Sequence, residues 1–294
     1  MVMGRALQFV FFFTSGAMGV AACGSSNGDG REGGKGGSDN PKYGSIHIAT
    51  AKVSGGAADP GHWADADFID QSSSGPRKRC ETSVEGACTV RVCSSSEIPA
   101  DGGQPKRVHA GIIRIRSAAL PSSIELMPNA SASYSEAHGR EQLWSGGEEI
   151  QISADGNPDS VPAFNKTLNA PSLFTLLTPN WSASEDGPTL DRSKDLDLSW
   201  LLAGTASGTM SVNLWSAPAG DRALDVTCTY PASDGKAKIP ASVLGILPAG
   251  RGGLGAAILE KRVVAVSDWE ITLLLDARGA RANGSSSGGR ATFK

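Results

Sequence analysis

The sequence predicts an all-β protein folded as two antiparallel β-sandwich lobes behind an N-terminal targeting segment and a flexible tether. Three observations lead there. Helical periodicity is scarce. Short runs of alternating apolar and polar residues recur along the chain, bounded by Gly, Pro, Asn and Asp. No long amphipathic segment stands between these runs to serve as a helical crossover, so the strands are expected to pair antiparallel.

The first 22 residues read as a signal peptide and not as part of the fold. Met1–Arg5 carries one positive charge, and Ala6–Ala22 carries none. The apolar centre, Phe9-Val10-Phe11-Phe12-Phe13, is interrupted by Gln8, Thr14, Ser15, Gly16 and Gly19. Such a segment fits a permanent transmembrane helix of about 20 apolar residues poorly. The run closes with Val20-Ala21-Ala22-Cys23-Gly24. This series resembles the lipobox of bacterial lipoproteins, in which an aliphatic residue and two small residues precede a cysteine. The resemblance implies diacylation of the Cys23 thiol, cleavage before Cys23, acylation of the new amine and partnership with a lipid bilayer. Several acyl chains on one residue anchor firmly where one alone does not. Gly24 in place of Asp after the lipidated cysteine implies, by the enterobacterial sorting rule, the outer membrane. In Gly24–Gly37, seven of fourteen residues are glycine and the rest are polar or charged, so the 23–43 segment reads as a flexible tether. In general look the chain resembles the Gly/Ser-tethered envelope lipoproteins of Gram-negative bacteria, and that likeness carries no activity.

Composition narrows the remainder. Without residues 1–22 the charge balance is 26 basic (27 less Arg5) against 30 acidic residues, a mildly negative chain with no electrostatic reason to bind nucleic acid. Four cysteines remain: Cys80, Cys88, Cys93 and Cys228. An even number in an exported chain reads as two disulfides. If Cys88–Cys93 is a strand, Cys88 lies on its apolar face with Val90 and Val92, and Cys93 on the other face with Thr89 and Arg91. Cys228 shares a face with Leu224, Val226 and Tyr230. Parity therefore pairs Cys88 with Cys228 and Cys80 with Cys93; a hairpin pairing of Cys80 with Cys88, leaving Cys93 to Cys228, is the alternative. Zinc is not expected, because there is no C-x-x-C and no nearby histidine.

Strands are expected at Ile46–Val53, Thr89–Cys93, Gly111–Arg116, Ser123–Leu126, Glu149–Ser153, Leu196–Leu201, Met210–Trp215, Leu224–Tyr230 and Trp269–Asp276. An internal echo points to a duplicated unit. Leu143-Trp144-Ser145, Asp155-Gly156 and Val161-Pro162-Ala163 recur as Leu214-Trp215-Ser216, Asp234-Gly235 and Ile239-Pro240-Ala241. The expected lobes are 44–170, with the Cys-rich hairpin, and 171–278, with a disordered tail at 279–294. Trp200 and Cys228 give the second lobe a loose resemblance to an immunoglobulin-like core.

No catalytic constellation emerges, and no cofactor is expected. Gly250-Arg-Gly252-Gly-Leu-Gly255 matches a dinucleotide fingerprint, but too little chain follows for further βα units, so it reads as a glycine loop and not as a nucleotide site. Gly284-Ser-Ser286-Ser-Gly288 matches G-x-S-x-G, yet it lies in a low-complexity tail without the strand and helix that a nucleophile elbow requires. His47, His62, His109 and His138 are scattered. Asp59, Asp65, Asp67 and Asp70 could gather around calcium, but they lack the glycine and terminal Glu of an EF-hand loop and read as solvated acids. Of six tryptophans, Trp200, Trp215 and Trp269 fall in strand patterns and read as core, while Trp63 and Trp181 fall in loops and are candidates for stacking on sugars. The expectation is a membrane-anchored envelope protein that binds another envelope protein or a glycan, or plays a structural part; a carbohydrate-binding module using Trp63 or Trp181 is the alternative and an exported hydrolase the third.

Overall fold

Alternation of apolar and polar residues becomes strand along most of the described residues. The computed structural model describes residues 42–51, 61–70, 80–94, 106–134, 137–179, 187–205, 207–216, 222–281 and 287–294. The expected signal peptide, Cys23 and nearly all of the tether lie outside these residues. The first strands are β1 (Lys42–Ala51), β2 (His62–Asp70), β3 (Cys80–Glu85), β4 (Cys88–Ser94) and β5 (Lys106–Arg107). There follow β6 (Ile113–Arg116), β7 (Ile124–Leu126), β8 (Ala137–Gly139), β9 (Glu149–Ala154), β10 (Phe164–Asn169) and β11 (Leu173–Thr178). The rest are β12 (Thr189–Leu190), β13 (Leu196–Ala203), β14 (Thr209–Ser216), β15 (Arg222–Pro231), β16 (Lys236–Ile239), β17 (Gly250–Val266), β18 (Trp269–Arg278), β19 (Ala280–Arg281) and β20 (Gly289–Phe293). One short helix, α1 (Ala241–Ile246), stands between β16 and β17.

The protein is all-β and sandwich-like. A 12-stranded sheet runs in the order β3-β4-β15-β14-β17-β18-β1-β2-β5, with β8, β12 and β20 attached to it. The described residues also form two four-stranded sheets, β10-β9-β6-β7 and β16-β13-β11-β19. One apolar cluster joins all three. From the large sheet it takes Ile46, Ile48, Phe68, Val212, Leu214, Ile258, Ile271 and Leu273, every second residue of their strands. From the small sheets it takes Ile113, Ile115, Ile150, Ile152, Leu173, Leu176, Leu198 and Trp200. Polar bonds tie the layers as well. Thr50 Oγ1 donates to Gly61 O at 3.1 Å and accepts the Leu143 N–H at 3.0 Å, and Trp269 Nε1 donates to Ser160 O at 3.2 Å. Tyr134 Oη accepts the Ala110 N–H and donates to Gly111 O, both at 2.8 Å. Burial pushes that phenol up to about 12, although the Ala110 N–H pulls the other way.

Several expectations are corrected. Residues Asp39–Lys294 form one compact unit. The expected boundary near Ala170–Pro171 separates the two small sheets, but the large sheet crosses it, taking β1 to β4 from one side and β14, β15, β17 and β18 from the other. Pairing is mixed, because β1 runs parallel to β18 over ten residues, from Lys42 opposite Trp269 to Ala51 opposite Arg278. The sequence echo does not repeat a structural unit: Glu149–Ala154 belongs to a small sheet and Arg222–Pro231 to the large one. The 279–294 tail carries β19 and β20; β20 pairs with β17, and Phe293 is 1% exposed. Its Gly/Ser content hid two core residues, Ala291 and Phe293, spaced two apart.

The disulfides are Cys80–Cys93 and Cys88–Cys228, the pairing that parity favours. Cys80 lies opposite Cys93 across β3 and β4, and Cys88 opposite Cys228 across β4 and β15. Both bridges therefore join neighbours within one sheet. An immunoglobulin bridge joins facing sheets, so that resemblance does not extend to the cysteines. Trp200 is buried on β13, its indole N–H donating to Ala232 O at 2.8 Å.

Two expectations about stability follow. In the chain-entropy account, removing Cys88–Cys228 (separation 140) costs about 5 kcal/mol and removing Cys80–Cys93 (separation 13) about 3. Urea unfolding of the two paired Cys→Ser variants should rank them in that order. Phe293→Ala should lower stability by about 3–5 kcal/mol, as truncation of a buried aromatic does, whereas an unstructured tail would leave the urea midpoint unchanged.

Candidate functional site

The inner face of the large sheet is filled by core, which leaves its outer face for a candidate site. Strand alternation sends Ser45, His47, Trp63, Asp65, Asn213, Trp215, Asp225, Thr227, Asp276 and Arg278 to that side. Two aromatic clusters stand out there.

The first spans β18, β1 and β2. Asp276 is almost wholly buried although it is on the outer face. Its Oδ2 lies 3.3 Å from His47 Nε2 and accepts Arg278 Nε, also at 3.3 Å. Asp276 Oδ1 is buried and has no partner among the described residues. Arg278 then lays its guanidinium 3.8 Å from the centroid of Trp63, and the His47 ring meets the same indole edge-on at 5.8 Å. This is a cation stacked on an aromatic face. Trp63, expected in a loop, is thus on β2 and half-buried, and a sugar has no room on the ring face that Arg278 occupies. A His–Asp pair can serve proton transfer when it reaches a nucleophile, but among the described residues His47 makes no hydrogen bond to a hydroxyl.

The second cluster surrounds Trp215, which the sequence reading placed in the core. On β14 the core positions are Met210, Val212 and Leu214; Trp215 has the opposite parity and is half-buried on the outer face. The parity of Met210-Ser-Val-Asn-Leu-Trp215 was the signal available for this. Directly opposite Trp215 stand Asp225 on β15 and Gly253 on β17. The G-x-G-x-x-G series, expected as a glycine loop, is instead the start of β17. A Cβ on Gly253 would lie 2.0–2.2 Å from indole carbons of Trp215, and one on Gly255 would be 3.6 Å from the ring. Glycine here lets the indole lie flat on the backbone. Arg91 stands opposite Asp225 on β4 and donates Nη2 to Cys80 Sγ at 3.4 Å. Burial raises the Asp225 carboxyl above the usual range, and Arg91 opposes that shift. Asn213, two residues before Trp215, accepts the Thr227 hydroxyl at 2.8 Å.

The remaining candidates are dispersed. Cys23, Trp181, Asp59 and Gly284–Ser286 lie outside the described residues. Ser287 is buried and donates to Ala256 O at 2.7 Å. His62 donates Nδ1 to Glu141 O at 2.7 Å, and its ring sits against Gly139. His109 accepts the Gly111 N–H at 3.2 Å and contacts Asn157 Nδ2 at 3.2 Å. His138 lies opposite Trp63. Asp65, Asp67 and Asp70 are strung along β2, where Asp67 pairs with Arg107 at 3.6 Å; a strand spreads alternate residues too widely to wrap a calcium ion. Among the described residues, no group of three His, Cys, Asp or Glu is placed to hold a metal.

Comparison with known proteins finds no matching family model and no similar curated sequence.

Gly253→Ala should force the Trp215 indole off the strand. The expected result is a loss of about 1–3 kcal/mol, typical of overpacking, together with increased acrylamide quenching of tryptophan fluorescence. Unchanged quenching would mean that the indole does not lie on Gly253.

Proposed function

We propose that this protein is an exported lipoprotein, anchored to the outer membrane through acyl chains on Cys23, that uses the outer face of its large sheet to bind a component of the cell envelope. The anchor rests on the Val20–Cys23 series and the glycine-rich stretch behind it. The paired bridges Cys80–Cys93 and Cys88–Cys228 support an oxidising destination. Binding rests on one observation above the others: the outer face holds side chains of mixed chemistry at fixed spacing, while its inner face is committed to the core. A sugar-binding role through Trp63 is not taken further, because Arg278 covers that ring.

Fractionation tests the anchor. The full chain should be recovered in the membrane fraction with the added mass of its acyl chains and Cys23 as its first residue. Cys23→Ser should move it to the soluble fraction and remove that mass. A wild-type chain found in the cytosol with Met1 intact and Cys23 unmodified overturns the proposal.

A further inference from the structure

The Trp215 cluster has the makings of a ligand platform, and its chemistry selects the ligand. The indole lies against Gly253, which is buried beneath it, so one ring face is turned to the sheet and the other away from it. Among the described residues the indole N–H has no hydrogen-bond partner, and Trp215 as a whole is half-buried. An aromatic kept half-exposed in this way offers an apolar plane with a donor at its rim.

What surrounds the ring is polar and planar. Across the strands the order is Arg91, Asp225, Trp215, Gly253 and Arg290, each opposite the next. With strands about 4.8 Å apart, the carboxylate lies one spacing to one side of the indole and the two guanidinium groups two spacings away on either side. Two residues along the strands stand Asn213 and Thr227. Because Thr227 Oγ1 donates to Asn213 Oδ1, the Asn213 amide keeps its N–H donors for another acceptor. One apolar plane edged by a carboxylate, an amide and two guanidinium groups complements a pyranose ring, whose axial C–H groups form an apolar face and whose hydroxyls project around its edge as donors and acceptors.

A protein partner fits less well. Stable protein interfaces bury about 800 Å² per side around an apolar centre. Here the ring's neighbours on the sheet are Gly253, Gly255, Asp225, Asn213 and Thr227, which are small or polar.

We propose that the outer face of β15, β14 and β17 is a glycan-binding platform on which Trp215 stacks against a pyranose ring while Asp225, Asn213 and Arg91 hydrogen-bond its hydroxyls. The proposal deepens the envelope-binding reading by naming the ligand class. It fails separately from the anchor, since oligosaccharide binding is measured without reference to the membrane.

The test is titration of the detergent-solubilised full chain with cellohexaose, chitohexaose and a hexa-uronate, read by tryptophan fluorescence and calorimetry. At least one oligosaccharide should bind. Trp215→Ala should weaken that binding tenfold or more, Trp215→Tyr by no more than about threefold, and Asn213→Ala to an intermediate degree, while Trp63→Ala leaves it unchanged. If Trp215→Ala does not fold, the Tyr and Asn213 variants decide. Absence of binding by all three oligosaccharides overturns the proposal, as does binding that is indifferent to Trp215 and Asn213. Capture of a protein at this face, lost in Trp215→Ala and unaccompanied by oligosaccharide binding, also overturns it.

Discussion

The pairing of β1 with β18 is the constraint on which the architecture depends. It brings together residues such as His47 and Asp276, separated by 229 positions, and sets them in a ten-residue parallel register. A parallel pair needs a crossover, and here the crossover contains one small sheet entire, the other except β19, and the greater part of the large one. The large sheet cannot close until β18 has been made. Ladders of such separation fold slowly because loop-closure entropy is lost before contacts compensate it. Cys88–Cys228, with a separation of 140, is a second long-range link at the other side of the sheet, so both flanks of β14 and β17 are set by non-local links.

The sequence conveyed local alternation well and long-range order poorly. Residues such as Met210, Val212 and Leu214, or Ile271, Leu273 and Leu275, are large and regularly spaced, and both runs are strands. The same parity argument reached the disulfide pairing, because it depends only on which face each cysteine occupies. It failed where the core residues are small. In β2 the buried set is His62, Ala64, Ala66 and Phe68, interleaved with Trp63, Asp65 and Asp67, which reads as a polar stretch. In β17 glycines replace side chains over the first six residues, Gly250–Gly255, and in β20 only Ala291 and Phe293 stand out from a Gly/Ser run. β3 has no buried residue to give it away, being an edge strand held by its neighbour and a disulfide. Parallel pairing leaves no local trace, so the division into lobes had nothing to contradict it.

Ring-on-glycine packing recurs on both faces of the large sheet and explains positions that no periodicity marks. On the inner face a Cβ at Gly44 would lie 2.5 Å from the Phe68 ring, and on the outer face the same relation holds between Gly253 and Trp215. An aromatic laid across a glycine covers backbone that would otherwise be bare and recovers packing that glycine in a strand gives up. The two differ in what lies above the ring. Phe68 is fully buried, with Trp269 at 6.1 Å and Tyr134 at 6.0 Å, whereas Trp215 remains half-exposed.

The contrast between Trp63 and Trp215 decides which of the outer aromatics is suited to a ligand. A carboxylate with little water around it, as Asp276 is, is costly unless cations and donors stand against it. His47 and Arg278 meet that demand through one oxygen, and Arg278 is thereby held over Trp63. Freeing the Trp63 ring face would mean moving the guanidinium that compensates a buried charge, so any ligand there competes with the fold. Around Trp215 the polar groups are arranged differently. Asp225 lies beside the indole in the neighbouring strand and Arg91 one strand further, and the ring is held by the glycine backbone below. A ligand could add contacts above Trp215 without removing any that the sheet requires. The same outer face thus carries one aromatic covered by a guanidinium and one that is half-exposed over glycine.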